Sequence, residues 1–183
     1  MKKFELTSEF ITNIFGTKLF RIKALIEFGN VKAGELGGFV EKEENLNHEG
    51  NAWVYGNAEV YGDARVYGNA SVCGNASVYG DARVCDDARV YGNASVYGNA
   101  CVCGDARVCG NADYATVHGF GSEYRTTTFF KTKAGEIGVR CGCFYGNLSE
   151  FRKKVVETHG ETKKAKEYLM LADLMEFRFS DNS

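Results

Sequence analysis

Gly50-Asn-Ala-Trp-Val-Tyr55, Gly56-Asn-Ala-Glu-Val-Tyr61, Gly62-Asp-Ala-Arg-Val-Tyr67: from Gly50 onward the chain falls into a six-residue frame. The frame runs without a slip to Gly110-Asn-Ala-Asp-Tyr-Ala115, eleven hexads spanning 50–115. Its consensus is Gly-[Asn/Asp]-Ala-x-Val-[Tyr/Cys]. The third position is Ala throughout, Gly gives way once, at Asp86, and Val once, at Tyr114. In extended backbone, residues two apart share a face, so Ala and Val point to one side and x and Tyr/Cys to the other. Gly adopts positive φ freely and Asn or Asp tolerates it, which leaves the first two positions for a corner. Each hexad therefore reads as a short strand plus a bend. Three hexads make one triangular coil of a parallel β-solenoid.

The composition agrees with that reading. The chain has 183 residues, 22 glycines and no proline, and ten of the glycines open hexads. A solenoid coil commits its N–H groups to the next coil, which disfavours proline. Small Ala and Val suit a thin interior, and neither Phe nor Lys occurs between 50 and 115. The length predicts one domain with appendages. A net charge of −2 disfavours a general nucleic-acid binder. No apolar run reaches membrane-span length, and the N-terminus has no apolar signal core, so a cytoplasmic protein is expected, with no membrane partner.

Inward Val followed four residues later by a small residue, as in Val60…Ala64 and Val78…Ala82, resembles the hexapeptide repeat of left-handed β-helix proteins. That group includes acyltransferases and γ-class carbonic anhydrases. The Tyr-Gly-Asn-Ala-x-Val wording more closely resembles repeat proteins of phages and prophages. Leu36-Gly-Gly-Phe-Val-Glu-Lys-Glu-Glu-Asn-Leu46 before the repeats and Cys141-Gly-Cys-Phe144 after them strengthen that likeness. The resemblance implies a mainly β fold, a left-handed parallel β-helix of about four triangular coils, in a protein acting in the host cytoplasm. It also implies a homo-oligomer, trimer or dimer.

A period of 18 assigns side chains to three outer faces. The first stacks Tyr61, Tyr79 and Tyr97 beside an asparagine ladder. The second carries Arg65 and Arg83, then Cys101, and beside them Tyr67, Cys85 and Cys103. The third carries Trp53, Ser71, Arg89 and Arg107. The tyrosines either stabilise the stack or form a partner surface. The arginines either pair with the corner aspartates in a solvated network or form an anion-binding stripe. Tyr61, Tyr79, Tyr97, Arg65, Arg83, Arg89, Arg107 and Trp53 are thus the candidate binding residues. Five of the seven cysteines lie in the repeat at outward positions. Cys101-x-Cys103 and Cys141-x-Cys143 lack the Cys-x-x-Cys spacing of a zinc site, so reduced thiols with no metal and no cofactor are expected.

Residues 1–49 read as an N-terminal cap, with a strand near Lys18–Phe28 and an irregular opening coil that places His48 at an inward position. Residues 116–183 read as a ββαα module that caps the solenoid or binds a target. Its hairpin joins Thr126–Thr132 to Glu136–Cys141. One helix opens at Asn147 with Glu150 as a capping box, and a second opens at Thr162. The chain has only three histidines, none inside the regular repeat, and no phosphate loop or nucleophile elbow. Catalysis is not expected; if it occurs, His118 is the candidate base. The expected function is binding of a host protein or complex, as in blocking a host defence system. Sequestration of an anionic signalling nucleotide and acyl transfer are the alternatives.

Overall fold

The computed structural model describes residues 1–121 and 123–180 of the chain. Its centre is a parallel β-solenoid of two-residue strands, from Trp53–Val54 to Arg107–Val108. Strands three hexads apart pair in register, Val60 with Val78 and Val78 with Val96, so three flat faces rise side by side. Ala and Val of every hexad from 50 to 109 are completely buried. The corner glycines hold φ between 61° and 72°, and Asp86, standing in for one of them, holds 59°. A corner side chain has little room: a Cβ on Gly68 would sit 2.8 Å from the backbone N of Asp86.

The eleventh hexad departs from this geometry. Gly110 does not take positive φ, Ala112 is exposed, and Asp113 Oδ2 accepts the N–H groups of Cys109 and Gly110. Tyr114 then fills the inward position. Its hydroxyl donates to the Ser95 carbonyl at 2.9 Å, and Asn111 Oδ1 accepts from the Ser95 N–H at 2.8 Å. Side chains thus satisfy the ladder groups left open under the last coil.

The opening coil is two residues longer than the others. Phe39 pairs with Glu59 and Leu46 with Val66, a separation of 20 where the repeat has 18. The extra residues lie between Leu46 and Val54. Leu46 therefore takes the inward position that the hexad frame assigns to His48. His48 sits at the rim instead. It accepts the Lys3 N–H at 3.1 Å, lies 2.6 Å from Glu43 Oε1 and stacks on Phe4. Gly37 and Gly38 let this coil close on the first repeat: a Cβ on Gly38 would come within 2.7 Å of Val54 Cγ1.

Two antiparallel strands, Phe4–Thr12 and Lys18–Ala24, join Leu36–Val40 and extend the first face into a six-stranded sheet. The expected strand at 18–28 is present as Lys18–Ala24, and Phe4–Thr12 is its unforeseen partner. At the other end, Tyr114–Val117, Thr127–Lys131, Ile137–Cys141 and Phe144–Asn147 form an antiparallel sheet. The expected hairpin supplies its middle strands. The module is therefore a four-stranded sheet with two helices, because Tyr114 leads the chain out of the solenoid as a strand rather than a loop. Phe130 points into the solenoid core and Phe129 into a second core beneath the helices.

Helix α1 (Leu148–His159) opens with the capping box of Asn147 and Glu150 and stops at Gly160. Helix α2 (Lys163–Phe179) is capped by Thr162 and buries Ala165, Tyr168, Ala172 and Met175. No helix among the described residues is long and apolar enough to cross a membrane.

Candidate functional site

The tyrosines of the first face form a ladder. Tyr61 and Tyr79 lie with ring centroids 4.9 Å apart at an interplanar angle of 1°, and Tyr79 and Tyr97 lie 5.4 Å apart at 14°. Burial and the neighbouring Tyr79 and Glu59 raise the Tyr61 hydroxyl to about 12. Such stacking contributes about 0.5–1.5 kcal/mol per pair beyond the area covered. The ladder runs toward α2. Tyr97 is 52% exposed and shares a groove of about 580 Å³ with Asn111, Tyr114, Leu174, Phe177 and Arg178. Leu174 is 54% exposed and Phe177 70%. The groove between the ladder and α2 is lined mainly by aromatic and aliphatic side chains, with Arg178 its charged member.

The faces that carry the arginines differ from expectation. Among the described residues Arg65, Arg83 and Arg89 make no ion pair within 4.0 Å, and Arg107 donates to the carbonyls of Asp87, Asp105 and Ala106. Corner carboxylates find other partners: Asp63 takes Lys42 at 2.7 Å, and Asp105 Oδ1 accepts the Tyr145 hydroxyl at 3.3 Å. Arg65 and Arg83 instead line a groove of about 650 Å³ with His48, Tyr67, Glu43 and Glu44. Two acids share it, so it is mixed in charge.

Trp53 is not a surface residue. It points away from the solenoid axis, as expected, but the N-terminal segment covers it entirely. Phe28 packs edge-on at 5.4 Å and Phe4 at 6.2 Å. Lys3 lies in the same cover, its Nζ donating to the carbonyls of Ala52 and Gly50 and sitting 4.7 Å from the Phe28 ring. Burial lowers the Lys3 ammonium from 10.5 to about 8.

His118 is exposed beyond Val117, with Nδ1 3.1 Å from Thr126 Oγ1. Thr126 is its polar partner among the described residues, so the base-plus-carboxylate pairing that orients a catalytic imidazole is not formed there.

The second face brings three cysteines together. The Sγ atoms of Cys85, Cys101 and Cys103 all lie within 4.8 Å of one another. Cys85 and Cys103 are buried and Cys101 is half-buried. Hydrogen bonds from Cys103 and Cys85 hold the Cys101 thiol well below its usual value, with Arg140 and Arg83 adding to the effect. Contacts with Cys101 and Cys85 push Cys103 up, and the contact with Cys101 together with burial pushes Cys85 up. Thr128 of the C-terminal sheet accepts the Cys101 N–H at 3.0 Å, so the cluster sits at the seam between solenoid and sheet.

The family model of the YdcK β-solenoid repeat matches residues 58–74, 82–98 and 88–104. The matched segments lie wholly inside the hexad region and identify it as a β-solenoid similar to that repeat. No curated protein matches the chain.

Proposed function

We propose that the chain is a non-catalytic binding protein that engages a protein partner through the tyrosine ladder and the adjoining surface of α2. The observation that carries this reading is the continuity of stacked Tyr61, Tyr79 and Tyr97 with exposed Leu174 and Phe177. Aromatic side chains concentrate at protein interfaces and contribute most of their energy. The groove beside Tyr97 carries Arg178 but no cluster of basic side chains, which favours a protein over a nucleic acid. The likeness of the hexads to phage and prophage repeat proteins supports reading the partner as a host protein, with a component of host defence a fitting target. The same strip supports self-association into a homodimer or trimer.

A photo-crosslinking residue at position 97, with Phe177→Asp as the control, tests the proposal in cells carrying the candidate host proteome. A discrete adduct of fixed mass, lost in Phe177→Asp, is expected. An adduct with a second copy of the chain assigns the strip to self-association. No adduct at position 97 overturns the assignment.

A second reading rests on the groove that holds Arg65 and Arg83, which among the described residues have no acidic partner within 4.0 Å. It is the sequestration of an anionic small molecule such as a signalling nucleotide. Mass analysis of the small molecules released on denaturation checks it, since a stoichiometric anion lost in Arg83→Ala is required.

A further inference from the structure

We propose that Cys85, Cys101 and Cys103 form a binding site for a thiophilic divalent cation, zinc in the first instance, with Asp86 beside the fourth position. A tetrahedral zinc with bonds of ~2.3 Å to sulfur sets its sulfurs roughly 3.8 Å apart. The three sulfurs here lie within 4.8 Å of one another, so closing on the ion needs side-chain adjustment and no change in the coils. Cys85 and Cys103 occupy equivalent positions in successive coils, and Cys101 reaches the same side from two residues before Cys103.

Asp86 supplies a second observation. It is the one hexad opener that is not glycine, and it accepts a left-handed φ of 59°. That conformation is costly for any residue with a Cβ, and glycine meets it at nine of the other corners. The Asp86 carboxylate Oδ2 lies 3.7 Å from Cys85 Sγ and accepts the Gly104 N–H at 3.1 Å. The latter contact crosses to the next coil and fixes the carboxylate at the rim of the thiol cluster. Its contact with Cys85 Sγ places Asp86 as an outer partner that orients a ligand of the ion, while the three sulfurs alone form the mutually close set.

Charge and access also fit. Two thiols are buried, and the third faces solvent in part, which gives the ion a path in. Metal ligation requires thiolates, so closure of the three sulfurs on the ion releases protons. Arg83 and Arg140 lie near enough to balance a site carrying net negative charge.

The test uses the full chain, purified under reductant, freed of metal and then exchanged into oxygen-free buffer. Zinc content after dialysis, the proton release on titration, and the thiolate-to-metal charge-transfer band on cobalt substitution are the readouts. One zinc per chain with a cobalt–thiolate band is expected. Both are lost in Cys101→Ser and retained in Cys109→Ser, which removes an exposed thiol of the same repeat. Asp86→Asn weakens binding by roughly 10- to 100-fold, as outer partners of metal sites do. Far-ultraviolet circular dichroism of Cys101→Ser keeps the comparison valid, because this half-buried position tolerates serine where Cys103 need not. Zinc below stoichiometry, zinc that survives Cys101→Ser, or a reduced chain that closes a disulfide among the three and takes up no metal would each overturn the assignment.

Discussion

The middle coils and the two ends of this molecule are built on opposite principles. Inside the coils from 50 to 109 only Ala and Val are buried toward the axis, and every one is fully enclosed. At the ends the buried residues are large: Phe4 and Trp53 on one side, with half-buried Phe28 against them, and Phe129, Phe130, Phe151 and Tyr168 on the other. A coil covers its neighbour by repeating the same narrow section, so it needs small side chains and a left-handed corner. An end has no neighbour to repeat against. It must cover apolar surface and open backbone at once, and antiparallel strands carrying aromatics do both. The interior of a thin solenoid therefore tolerates only small residues, whereas its stability against fraying is concentrated in bulky caps.

That contrast can be broken by substitution in each direction. Removing bulk from a cap is expected to have the largest effect: Phe130→Ala, which unplugs the last coil, should destabilise by about 3–5 kcal/mol in a denaturant titration. Adding bulk to the interior comes next. Ala76→Leu should cost about 1–3 kcal/mol, since no neighbouring coil can yield without moving its ladder. If Ala76→Leu proves neutral, the interior is not as tightly sectioned as the contrast requires. Smaller again is the outer ladder: Tyr79→Ser, which breaks two ring stacks, should lower stability by about 1–2 kcal/mol. Tyr91 takes part in no ring stack among the described residues, so Tyr91→Ser should cost less in the same titration.

The lysine of the N-terminal cover and two desolvated tyrosines titrate in opposite senses. Lys3, in the N-terminal cover, has a folded value near 8 against 10.5 unfolded. Between those values the unfolded chain holds more protons, so stability rises with pH. Tyr61 and Tyr114 are held near 12 against 10.0 unfolded. Above pH 10 the unfolded tyrosines ionise first and stability falls. The thiols of Cys73, Cys85 and Cys103, pushed up in the folded chain, also lower stability as pH rises past 9. The Lys3 contribution is therefore read as a difference: the melting temperature of the parent relative to Lys3→Met should rise between pH 8 and 10.5, and a gap that stays constant over that range would sink the assignment.

The coils were legible in the sequence because one local rule repeats. Every Ala and Val between the corners obeys a period of six, and the pairing at 18 follows from three hexads per turn. The helices were legible too, since Asn147, Glu150 and Thr162 act within one turn of their own positions. What escaped has no local signal. The two extra residues before Val54 shift His48 off the inward track, and nothing in 1–49 repeats to reveal the slip. Trp53 reads as an outward residue, but its cover comes from Phe4 and Phe28, distant in the chain. The thiol cluster was half visible. Cys85, Cys101 and Cys103 fall on one face, yet metal spacing rules describe ligands on a single turn or knuckle. In a solenoid the neighbouring ligand lies a whole coil earlier in the chain, where no spacing rule looks.

The two-residue excess in the opening coil and the exit at Tyr114 confine all irregularity to the ends. Whole coils between them are therefore interchangeable units of length. Duplicating Gly56–Cys73 in tandem would add one complete turn, roughly 4.8 Å of axial rise, while leaving the aromatic cover at one end and the sheet and helices at the other unchanged. The molecule is in that sense a ruler. The number of coils sets the distance between its two differently built ends, so evolution or design can retune that spacing by gaining or losing three hexads at a time without rebuilding either surface.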